Sequence, residues 1–150
     1  MSYEEKNTVV TLISHFLILG YYLMNLIPAL ASGNIDRAAL QSLFTTVIIL
    51  GIVVTIIGMI LAYTGESIYR GIRSGGKDTI DTTTDERDLL IKGKGSRVEG
   101  TFLSVGVVIA LVSFIIGHSE LPLFALLLFF LIASQVAGDV NRLILYRMAS

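Results

Sequence analysis

Residues 43–65 read LFTTVIILGIVVTIIGMILAYTG, with no charged side chain from Leu43 to Gly65. About 20 apolar residues, rising 1.5 Å each in an α-helix, cross ~30 Å of hydrocarbon. Hydrocarbon offers no partner for backbone N–H and C=O groups, so such a run is expected to be helical. Three further runs resemble it, at about residues 8–31, 100–117 and 121–146. A single charged segment, about 66–99, separates them into two pairs. The expectation is all-α: an integral membrane bundle of four transmembrane helices, forming one membrane domain over residues 1–150.

Composition agrees. Hydrophobic residues make up 53% of the chain and charged residues 15%, where a soluble domain is about one quarter charged. There is no cysteine, which excludes disulfides, thiolate metal sites, iron–sulfur clusters and cysteine nucleophiles. There is no tryptophan either, so anchoring at the headgroups falls to Tyr and Phe.

Charge placement gives an expected orientation. Lys6, Arg70, Arg73, Lys77, Arg87, Lys92, Lys94, Arg97, Arg142 and Arg147 all fall on one side of a four-crossing chain. The other side carries only Arg37. The positive-inside rule then puts both termini and the central segment in the cytoplasm of a multi-pass cell-membrane protein. Ala29-Leu30-Ala31 has the small-x-small form of a signal-peptidase site. The leader around Glu4 and Glu5 is acidic, however, and the apolar run carries His15 and Asn25, so the first run is read as a retained span.

In lipid, small residues allow the close backbone approach that holds helices together. Gly51, Thr55, Gly58, Ala62 and Gly65 form one such stripe on the second span, and Gly106, Ala110, Ser113 and Gly117 another on the third. The matched stripes predict that the second and third helices pack closely, within the chain or across a homo-oligomer seam.

The second helix is expected to overrun the membrane through Arg73 and stop at Ser74-Gly75-Gly76. Residues 77–82 read as a polar connection. Thr83 with Glu86 three positions on has the capping-box form, and acids suit a first helical turn. An amphipathic cytoplasmic helix over 83–97 would follow, weakened by Gly93, Gly95 and Gly100 and so open to a bend. Asp85, Glu86, Arg87, Asp88 and Ile91 are its candidate partner-facing residues. Basic and acidic residues interleave here without a recognition motif, which argues against nucleic acid as a partner and leaves membrane lipid and a cytoplasmic protein.

The run Asp85-Glu86-Arg87-Asp88-x-x-Ile91, set before the third of four spans, resembles a family of small predicted bacterial and archaeal membrane proteins of unknown function. The opening Met1-Ser2-x-Glu4-Glu5-Lys6-Asn7 and the arginine-bearing C-terminal end share in the resemblance, which would cover nearly the whole chain. It implies a companion role beside small helix-turn-helix regulators, and hence a membrane-sensor function.

Ionisable groups inside a membrane are functional candidates because burying them costs several kcal/mol. Thr11, His15 and Tyr22 share a face of the first helix, with Asn25 at its edge. Gln135, Asp139 and Arg142 lie on one stripe of the fourth, where Asp139 and Arg142 are placed for an intrahelical pair. His15, Gln135 and Asp139 are expected to converge, as a network fixing helix register or as a proton-linked or ligand site. Glu66 and Glu99, near helix ends, are expected to be solvated.

Enzyme readings fail for want of parts. No phosphate-binding glycine loop, zinc-protease signature or Ser–His–Asp pattern occurs. His15 falls in the inner half of the membrane and His118 in the outer loop, too far apart to ligate one haem or metal, and His118 with Glu120 provides too few ligands for a metal. No lysine lies within a span to carry a retinal-type Schiff base, and no cofactor is expected. The expected function is that of a non-enzymatic membrane protein, regulatory or sensory, presenting a cytoplasmic helix. The alternative is a small homo-oligomeric transporter or channel.

Overall fold

A computed structural model describes residues 3–31, 36–74, 85–117 and 120–148. They form four helices: α1 (Tyr3–Ala31), α2 (Arg37–Ser74), α3 (Glu86–Ile115) and α4 (Glu120–Met148). No strand occurs among the described residues. All four helices are long and apolar enough to cross a membrane.

Local chemistry sets the helix ends. Asp36 opens α2, its carboxylate accepting the Ala39 N–H at 2.6 Å. Asp85 opens α3 in the same way, accepting the Asp88 N–H at 2.7 Å. Each acid satisfies a backbone donor that the helix itself cannot reach. The capping role expected of Thr83 therefore falls to Asp85; Thr83 and the 77–82 connection lie outside the described residues. The expected bend is absent, since α3 runs as one helix through Gly93, Gly95 and Gly100. Gly117 ends α3 with φ of 103°, a left-handed conformation suited to glycine. It is a stop residue rather than the packing residue expected.

The helices pack in the spatial order α2, α1, α4, α3, with α2 touching α4 only lightly. The expected close packing of α2 on α3 does not occur among the described residues. Each small-residue stripe serves a different neighbour. On α2, Gly51 lies against Ile18, and a Cβ at Gly58 would stand 3.1 Å from Val10 and 3.3 Å from Ser14, both on α1. A Cβ at Gly65 would meet open space. On α3, Gly106 lies under the Phe130 ring of α4, and Ala110 is fully covered. Phe102 joins that contact, its ring centroid 6.0 Å from that of Phe130. A glycine stripe encodes close approach but not to which helix, which is why the pairing was not legible.

Ile18, Tyr22 and Leu26 of α1 make the core with Leu40 and Val47 of α2 and Ala125, Leu128 and Ile132 of α4. The outward face of α2 is left to Ile48, Ile49, Ile52, Val53, Ile56 and Ile60, all exposed. So large an apolar face suits hydrocarbon rather than water. The start of α1, the start of α3 and the finish of α4 lie together, tied by Lys92 Nζ to Glu4 Oε1 at 2.8 Å and by Arg87 Nη2 to the Tyr146 carbonyl at 3.3 Å.

Candidate functional site

Four ionisable side chains from three helices form a continuous relay. Arg142 sits three residues after Asp139 on α4, and its Nη1 donates to Asp139 Oδ1 at 2.6 Å, the expected intrahelical pair. Asp139 Oδ2 faces His15 Nδ1 of α1 at 2.8 Å. In the other direction, Arg142 Nη2 donates to Glu99 Oε2 of α3 at 3.0 Å and to Ser96 Oγ at 3.4 Å. The order is thus His15–Asp139–Arg142–Glu99.

Two glycines make room for it. A Cβ at Gly95 would overlap the Arg142 side chain. One at Gly138 would press on Glu99 Cβ and Oε2, both 3.1 Å away, and on the Gly95 carbonyl at 3.3 Å. The close approach of α3 and α4 here lets a guanidinium on one helix reach a carboxylate on the other.

Burial decides the energetics. Asp139 is 1% exposed, so its carboxylate has no water to lean on. A lone buried ion costs many kcal/mol, and pairing with full hydrogen bonding offsets this. Asp139 uses one oxygen for Arg142 and the other for His15. Two carboxylates and one guanidinium leave one formal negative charge in the relay. With Nδ1 against the Asp139 carboxylate, the hydrogen bond places the ring proton on that nitrogen. Arg142 Nε remains buried without a hydrogen-bond partner among the described residues.

His15 and Asp139 meet directly, and Gln135 lines one groove with His15 without touching the carboxylate. Tyr22 lies two turns along α1, where its hydroxyl donates to the Ala125 carbonyl at 2.6 Å. Thr11 bonds back to the Thr8 carbonyl. Asn25 is exposed and donates to the Tyr21 carbonyl at 2.7 Å. Tyr22 and Asn25 therefore stand outside the relay: sharing a helical face does not bring residues ten apart to one spot.

Glu99 is not solvated as expected but forms the far end of the relay, its side chain 22% exposed. Its place depends on the register of α3 against α4, which the spacing within either helix does not reveal. The only hint was Gly95 one turn before it.

The partner-facing expectation also changes. Asp88 and Ile91 are buried, at 5% and 6% exposure. Arg87 is tied to α4, and the buried Tyr146 hydroxyl lies beside Asp88. With Gly95 these residues share the inward stripe of α3, at i, i+3 and i+7 from Asp88. Asp85 is occupied as the cap. Asp85, Glu86 and Arg87 are exposed, and Glu86 shares its own stripe with the exposed Leu89, Leu90, Gly93 and Arg97. His118 lies outside the described residues, among which no cluster of three metal-ligating side chains occurs.

No family model matches this chain, and no curated protein or solved structure matches it at a significant level.

Proposed function

We propose that this chain is a non-enzymatic, multi-pass protein of the cell membrane, with both termini and the 75–84 connection cytoplasmic. In this reading it is a sensory component. The His15–Asp139–Arg142–Glu99 relay holds α1, α4 and α3 in one arrangement, and the start of α3 reports that arrangement to a cytoplasmic protein. The observation that carries the reading is the relay itself, one buried carboxylate and three partly buried ionisable partners bridging three helices within membrane-length elements. Charges so placed are expensive to keep and answer to whatever changes their balance. The orientation rests on ten of the eleven basic residues lying at the terminal end or in the connection beside it.

The presented surface is the stripe of Glu86, Leu89, Leu90, Gly93 and Arg97. Loosening the Asp139 contact frees α1, which also holds Lys92 through Glu4, so a change at Asp139 reaches the start of α3.

Because the chain has no cysteine, a single one reports cleanly. Ile91→Cys should react slowly with a water-soluble maleimide. Adding Asp139→Asn should speed labelling about tenfold, as for a shift of 1.4 kcal/mol in a local opening. Unchanged labelling would remove the coupling between relay and α3.

The second reading, a small homo-oligomeric transporter, draws on the groove beside His15. There Asp139→Asn should abolish solute movement in proteoliposomes while leaving Ile91→Cys labelling slow.

A further inference from the structure

The relay has an open end. His15, Thr55 of α2 and Gln135 of α4 line one groove of about 290 Å³. His15 Nε2, the Thr55 hydroxyl and the Gln135 amide carry no hydrogen bond among the described residues, His15 being bonded through Nδ1 alone. Ser14, Thr45, Ser67, Thr101 and Ser104 each return their hydroxyl to the carbonyl four residues back. The rest of the lining is chiefly aliphatic, including Ile18, Val47, Ile52, Leu128 and Ile132.

Each of the three polar residues lies near the middle of its helix, so the groove is at mid-membrane depth. Its walls are α2 and α4, which barely meet, and its floor is α1. It therefore opens sideways toward lipid tails rather than toward water. An unmatched polar group in hydrocarbon costs several kcal/mol, and three of them around one notch call for an occupant with matching groups.

The chemistry narrows the occupant. With the proton on Nδ1, the neutral His15 ring presents a bare Nε2, which accepts a hydrogen bond. Gln135 and Thr55 can each donate and accept. The relay beneath already carries more negative than positive groups while His15 is neutral, so an anionic head is disfavoured. The size of the notch suits a ring-sized head with its tail in the bilayer.

We propose that this groove binds an uncharged lipophile with a hydroxyl-bearing head, entering from the membrane. The head hydroxyl donates to His15 Nε2, and Thr55 and Gln135 meet its remaining oxygens. The proposal rests on the relay reading, because Asp139 must hold the ring proton on Nδ1.

A short-tailed benzoquinol serves as probe, with its dimethyl ether as the form lacking donors. The full chain, labelled with ¹⁵N in its histidine rings, is placed in lipid nanodiscs. It has two histidines, so His15→Phe assigns the signals. The quinol should move the His15 Nε2 resonance and the ether should not. Thr55→Val and Gln135→Leu should each weaken the response about three- to tenfold, as expected for one hydrogen bond. A resonance that stays put, or that moves equally with the ether or in both variants, overturns the site. So does a shift that follows protein concentration without probe, which would mean a second copy covers the groove. Fast Ile91→Cys labelling in Asp139→Asn with no quinol response would remove the ligand and leave the relay standing.

Discussion

His15 Nδ1 stands 2.8 Å from Asp139 Oδ2 across 124 residues of sequence, and this contact ties α1 to the most buried acid among the described residues. Arg142 then carries the connection on to α3. Without Asp139 the relay has no centre.

Asp139→Asn should therefore destabilise the fold by about 3 kcal/mol, the lower end for breaking one side of a buried pair, since Arg142 keeps Glu99. Asp139→Asn with Arg142→Leu should be worse than the single change, because Glu99 then loses its partner as well. Unfolding in mixed micelles compares the two.

The glycines divide by what lies above them. Gly95→Ala should displace Arg142 and cost about 1–3 kcal/mol by overpacking, and Gly106→Ala should do the same against Phe130. Gly93→Ala meets open space and should stabilise α3 by up to about 1 kcal/mol. Thermal unfolding of the three variants should show this change of sign.

Tyr22→Phe removes a buried hydroxyl that donates to Ala125 and should cost about 1 kcal/mol. Because Tyr22 lies outside the relay, the same variant should leave maleimide labelling of Ile91→Cys as slow as in the parent.

Leu90→Cys should label fast and Ile91→Cys slowly, for adjacent positions 66% and 6% exposed. Equal rates would mean that the inward stripe of α3 is not held by α1 and α4.

The four membrane-length helices were legible because hydrocarbon thickness and hydropathy fix them without reference to neighbours. The Asp139–Arg142 pair was legible for a similar reason, being set by three residues of one helix. The convergence of His15 on Asp139 followed from two polar stripes with few other places to go. What was not legible needs register between helices: Glu99 reaching Arg142, Gly106 lying beneath Phe130 rather than beside α2, and Asp88 with Ile91 turning inward. A lone hydropathy stripe says that a face is covered and not what covers it. Asp85 took the cap because its carboxylate reaches the Asp88 N–H, a choice among neighbouring candidates that local sequence left open.

The most direct test of the account is a double-mutant cycle between the two ends of the relay, His15→Phe and Glu99→Gln, read by reversible unfolding in mixed micelles. These residues do not touch, so independent sites would add to within about 0.5 kcal/mol. A relay acting as one unit predicts a coupling of about 1 kcal/mol or more, carried through Asp139 and Arg142. Simple additivity would contradict it and reduce the four charges to two separate pairs.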